Sequence, residues 1–142
     1  MKKLIKIAAA QLTPVFLNKE KTIEKACEAI SEAGKNGAEL IVFPEAFISG
    51  YPDWVWLIPN SKGKMLNDLY VRLVENAISV PDDSTDKLCK SAKTAGINVV
   101  MGMNERNTDK SGASLYNSIL FISNEGKIAG IHRKLMPTGG ER

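Results

Sequence analysis

The sequence predicts an α/β layer: a mixed sheet with helices on one face. Three observations carry this. Two continuous apolar runs, "LIKIAAAQL" and "AELIVFP", flank a segment of helical period. Two more amphipathic segments follow without a long apolar run between them. The chain then closes on three strand-like stretches, the last two joined by the turn sequence "NEGK".

The first run is closed by Pro14 and reads as a buried strand. In the next segment Ile23, Ala26, Cys27, Ile30 and Ala33 recur at helical spacing, with Glu24, Lys25, Glu28, Glu32 and Lys35 opposite them. Asn18 is the expected N-cap and Gly37 the expected C-cap. "AELIVFP" is a second strand, closed by Pro44. Strand, helix and strand with short connections form a βαβ unit, with parallel strands and a right-handed crossover. Residues 44–62 hold four aromatics and three prolines but little periodicity. A loop this long inside a domain points to function, and its aromatics argue against disorder.

"MLNDLYVRLVENAI" is the next expected helix, with Leu66, Leu69, Tyr70, Leu73, Val74 and Ala77 inward. "PDDSTDKLCKSAKTAG" is another, capped by Asp83 or Ser84 and stopped at Gly96. "INVVMGMNER" is a strand, and "SLYNSILFIS" with "IAGIHRK" makes an antiparallel hairpin whose turn chemistry comes from Asn124 and Gly126. Such a sheet leaves an apolar face or an open edge, so another chain or further sequence is expected to pack there.

Composition narrows the function. At 142 residues the chain suits a single domain, and its make-up is that of a soluble globular protein. A formal charge of +3, spread along the chain, gives no basic patch for nucleic acid. No run approaches the roughly 20 apolar residues that span a bilayer. Lys6 breaks the apolar opening, which therefore does not read as a secretory signal. The two cysteines and single histidine form no metal-binding pattern. A reducing, cytoplasmic setting is the default expectation.

Two stretches could carry chemistry. In "IVFPEAFISGYPDWVW", Glu45 follows a strand and a proline, where ligands bind in open α/β sheets. Roofed by Tyr51, Trp54 and Trp56, its carboxylate would be partly desolvated and suited to general-base work. Those three aromatics serve equally well as pocket lining, core or oligomer contacts. In "IHRKLMPTGGER", Lys134 leaves a strand in the same sense and could stabilise a developing anion. Singly, each is also what a solvated loop glutamate or a basic strand end looks like. His132 reads as structural. Cys27 and Cys89 fall on apolar helix stripes, where a buried thiol is inert.

Taken together and in order, these stretches resemble the nitrilase superfamily of carbon–nitrogen hydrolases. "IKIAAAQLTPVFLNKEKTIEKACEAISEAGKNGAELIVFPEAFISGYP" resembles its N-terminal part, "HRKLMPTGGER" its lysine motif, and "GMNER" then "LYNSILFISNEGKIAGIHRK" run in the family's order. "GYPDWVW" and "HRKLMPT" are closer to true nitrilases than to the amidase branches. The resemblance implies a four-layer αββα sandwich and no metal or organic cofactor. It implies that Glu45 is the general base, Lys134 the stabiliser of the tetrahedral intermediate, and Glu141 a second glutamate that positions the others. The substrate would be a small nitrile, with Tyr51, Trp54 and Trp56 against it.

The family's nucleophile is a cysteine in a C-W-E setting, and none is present. The expectation is therefore an N-terminal portion, residues 1–142, of an incomplete hydrolase domain. It would be inactive alone and partnered by the missing C-terminal half or by further copies of itself. The rival expectation is a non-catalytic scaffold that pairs through its open sheet face.

Overall fold

In the computed structural model, residues 4–108 and 114–139 are described. The elements run β1 (Ile7–Ala9), α1 (Lys19–Lys35), β2 (Leu40–Val42), α2 (Trp54–Leu57), α3 (Gly63–Glu75), α4 (Asp83–Ala95), β3 (Asn98–Arg106), β4 (Leu115–Ile122) and β5 (Ile128–Arg133). The strands form one five-stranded sheet in sequence order. β1, β2 and β3 are parallel neighbours, and β4 and β5 then add antiparallel. The mixed sheet matches the expected α/β class. The order also agrees, except that the long loop contains the short helix α2 and one 3-10 turn at Asn60–Lys62.

Helices α1 and α4 cover one face. Ile23, Ala26 and Ile30 of α1 and Leu88 and Ala92 of α4 pack on Ile41, Val99, Met101, Leu120 and Ile122. The alternation of β3 explains this: Val99, Met101 and Met103 are buried there, paired with Ile122, Leu120 and Ser118 of β4. Residues on the alternate phase, including Ile7, Leu40, Val42, Val100, Ile119 and Phe121, stand outside this core, and Phe121 is 38% exposed. A smaller core of Leu17, Trp54 and Leu73 ties α2 and α3 to the start of β4 through Leu115.

Three expectations are corrected. β1 is a three-residue edge strand with pattern exposed–intermediate–exposed, because a single neighbour and one helix-covered face cannot bury it. The N-cap of α4 is Asp82, not Asp83 or Ser84. Its side chain accepts from the Ser84 and Thr85 amides, and Thr85 returns a bond to the Asp82 amide, closing a capping box. In α3 only Leu73 is fully buried, and Tyr70 is exposed, because that stripe faces a hollow.

Asn18 caps α1 as expected, accepting from Lys21 N. Asn36 caps its C-terminus, with Gly37 at φ +76° one residue beyond. The hairpin turn has Gly126 at φ +75°, a conformation that favours glycine. Among the described residues, no helix is long and apolar enough to cross a membrane.

Candidate active site

Glu45 stands on the loop that leaves β2. Pro44 precedes it and Ala46 follows at φ +47°, so the backbone turns sharply at the carboxylate. The loop crosses the sheet at Gly102. A Cβ there would lie 2.0 Å from the Pro44 carbonyl oxygen and 2.9 Å from the Glu45 Cα, so only glycine admits the approach. Ile48 N donates to Gly102 O at 3.2 Å, and Asn104 N to Ile48 O at 2.6 Å. The buried Asn104 amide donates to the carbonyls of Ile48 (3.2 Å) and Gly50 (2.9 Å). The Ser49 hydroxyl donates to the Asn76 carbonyl at the end of α3.

Lys134 is the first residue past β5. Its backbone N–H donates to Asn117 O at 2.8 Å, which continues the β4–β5 ladder by one bond. Its ammonium lies 2.8 Å from Glu45 Oε1 and 3.0 Å from Thr138 Oγ1. The structure therefore joins two residues 89 positions apart in sequence. The Glu45 side chain is 54% exposed and that of Lys134 32%, so the aromatics do not roof the carboxylate here. A pair this exposed contributes at most about 1 kcal/mol to stability. Its meaning lies in placing a base beside a cation.

Asn117 of β4 completes the cluster. Its Nδ2 donates to Glu45 Oε1 at 2.6 Å. Sequence reasoning read this asparagine as an ordinary strand residue. The available signal was its polar side chain within a largely apolar strand, and Asn104 gave the same signal. The two are directly paired across β3 and β4.

On the alternate phase of the same strands lies a second polar group that sequence reasoning also missed. Glu105 is buried, at 4% exposure. Arg133 grips it with a two-pronged contact, Nε to Oε2 at 3.0 Å and a terminal nitrogen to Oε1 at 2.6 Å, and Ser118 Oγ donates to Oε2 at 2.7 Å. The guanidinium also lies 4.1 Å from the centre of the Tyr116 ring. Burial alone would push the Glu105 carboxyl up. The hydrogen bonds from Arg133 and Ser118, with the guanidinium charge, outweigh it and hold the group below its ordinary value.

A hollow of about 920 Å³ opens beside Lys134 and Asn117, walled by Tyr51, Trp54, Leu66 and Tyr70. Trp54 is nearly buried and meets Phe16 edge-on at 5.5 Å. Trp56 does not line this hollow; it is 56% exposed and stacks on Tyr51 at 5.8 Å. Glu141 lies outside the described residues. Cys27 and Cys89 sit in the helix layer, half-buried, and burial pushes both thiols above their ordinary value. Neither has the electropositive setting of an activated nucleophile.

Comparison with known proteins identifies the family and the fold. Residues 6–142 match the family model for carbon–nitrogen hydrolase. The chain is 40% identical over 141 residues to "Nitrilase 2" of an unknown prokaryotic organism, covering 97% of this chain and 43% of that protein. It is 41% identical over 138 residues to an aliphatic nitrilase of Rhodococcus rhodochrous, covering 97% and 34%. An arylacetonitrilase of Aspergillus niger is 37% identical, covering 97% and 38%. The chain thus spans well under half the length of these relatives. Among solved structures, an amidase from Nesterenkonia sp. superposes with a TM-score of 0.66 at 18% identity, over 95% of this chain and 44% of that one. Saccharomyces cerevisiae Nit3, of the nitrilase superfamily, gives 0.68 at 24% identity, over 93% and 44%. The chain belongs to the carbon–nitrogen hydrolase family and has a nitrilase-like α/β fold.

Proposed function

We propose that this chain supplies the base and the cation of a nitrilase, which converts a nitrile to a carboxylic acid and ammonia. The observation that supports this most directly is the 2.8 Å contact between Glu45 and Lys134, set against an aromatic-walled hollow. Relatives named as nitrilases at about 40% identity support the reaction class. In this reading a cysteine thiolate, carried outside this chain, attacks the nitrile carbon to form a thioimidate. Water then adds and ammonia leaves, giving a thioester that a second water hydrolyses to the acid. Glu45 moves the protons, and Lys134 meets the charge on nitrogen and then on oxygen. Glu141 would position them, and Tyr51 and Trp54 would hold a hydrophobic substrate. Trp56 would act through its stacking on Tyr51. Neither metal nor cofactor is needed for any step. The half-buried free thiols suit a reducing compartment, and we place the protein in the cytoplasm.

Alone, the chain is expected to be inactive, because the covalent step lacks its nucleophile. The test is ammonia release from aromatic and aliphatic nitriles, by the chain alone and with a cysteine-bearing C-terminal half of a nitrilase supplied. Turnover should appear only in the second case and vanish with Glu45→Ala. Turnover by the chain alone that Glu45→Ala abolishes would overturn the claim of inactivity.

The uncovered sheet face favours a second, compatible reading, in which the chain pairs with a partner, either the C-terminal half or another copy. A stable monomer by light scattering would count against it.

A further inference from the structure

We propose that Asn117 is a positioning residue that sets which oxygen of Glu45 takes the proton. The inference rests on the nitrilase reading and deepens it. Glu45 Oε1 accepts two hydrogen bonds, from Asn117 Nδ2 at 2.6 Å and from Lys134 Nζ at 2.8 Å. Only the amide nitrogen, not the amide oxygen, can face a carboxylate, so chemistry fixes the orientation of the Asn117 side chain. Among the described residues Oε2 carries no hydrogen bond. With Oε1 doubly engaged, Oε2 is the oxygen presented for proton transfer.

Asn117 is well placed to impose this. It pairs with Asn104 in the middle of the β3–β4 ladder, and its carbonyl accepts the Lys134 N–H at 2.8 Å. Its two chain neighbours are held as well, Ser118 by Glu105 and Tyr116 by the Arg133 guanidinium. One residue therefore fixes the base through its side chain and the lysine through its backbone.

The arrangement separates two duties. Lys134 must turn part of its hydrogen bonding toward the substrate as charge develops there, which weakens its hold on Glu45. Asn117 is neutral, so charge developing on the substrate does not draw it away as it draws the cation, and its grip on Oε1 persists while Lys134 moves. The base keeps its aim through the step in which the cation leaves it.

Two measurements test this. In the chain alone, the side-chain amide of Asn117, assigned by its loss in Asn117→Leu, should give two widely separated proton signals by NMR. Glu45→Ala should collapse the separation, and Lys134→Met should preserve it. A separation unchanged by Glu45→Ala would overturn the proposal. In the assembly with the cysteine-bearing half, Asn117→Asp keeps the shape but removes the donor. It should lower kcat by roughly 10- to 100-fold, with KM within about twofold and the melting temperature unchanged. Asn117→Leu should lose a similar factor. An Asp variant at full rate would overturn the proposal, since shape alone would then suffice. If the unsubstituted assembly is inactive, the nitrilase reading fails, and the Asn117 grip on Glu45 is decided by the amide signals.

Discussion

Gly102 has the Pro44 carbonyl pressed against the place where a side chain would begin. Gly102→Ala must therefore push the loop off the sheet. We expect a loss of about 2 kcal/mol or more in a urea melt, and a displaced Glu45 that no longer accepts the Asn117 amide. Unchanged stability would mean that the loop does not rest on β3. Asn104→Leu leaves the Ile48 and Gly50 carbonyls without its amide, and should cost about 2 kcal/mol by the same measurement.

Glu105 makes a prediction in pH. Its folded-state carboxyl lies below the ordinary value, so its contribution is fully present above the unfolded carboxylate range, about pH 4.3. That contribution is lost as pH falls through the depressed folded value. Glu105→Gln should cost about 2 kcal/mol at pH 7, and the gap to the unsubstituted protein should close on acidification. A gap independent of pH would rule out the ionised pair as its source. At this scale Glu45 and Lys134 were singled out only by the ordered set of family motifs, since a glutamate or lysine after a strand is, alone, also what a solvated loop or strand end looks like. Asn117, Glu105 and Arg133 were not, since a partner 13 to 72 residues away leaves no local trace.

Among the elements, α4 depends most visibly on its start. Asp82 satisfies two amides of the first turn, and its own amide donates to the Thr85 hydroxyl oxygen. Asp82→Ala should cost about 1 kcal/mol, read as a lower thermal midpoint. The helices and strands were legible because their apolar residues repeat with helical or alternating period. Asn18 and the hairpin turn also follow from local chemistry. The Asp82 cap was misread because three capping residues stand in a row, and only the backbone turn at Asp82 decides among them. β1 was misread as buried because an apolar run gives no sign of its place at a sheet edge.

For the whole molecule, the sheet is covered by α1 and α4 on one side only, so the other side makes the larger prediction. The isolated chain should associate in a concentration-dependent way by light scattering. Phe121→Lys on that face should shift it toward monomer without lowering its thermal midpoint. A midpoint that falls together with the association would place Phe121 in the core. The fold class was legible because period and turn chemistry are local signals. The shape of the hollow was not, since it arises where α2, α3 and β4 meet.

β5 adds a consequence of a different kind. Arg133 anchors the fold through Glu105, and the very next residue, Lys134, turns to Glu45. Anchor and candidate site are thus written in adjacent letters, the last residue of the strand and the first beyond it, which continue its alternation. Deleting one residue within β5 would carry Lys134 into the place of Arg133, against the buried Glu105, and Leu135 into the place of Lys134, leaving Glu45 without its cation. A substitution along this stretch strikes the anchor or the candidate site singly, but a change in its length strikes both in a single step.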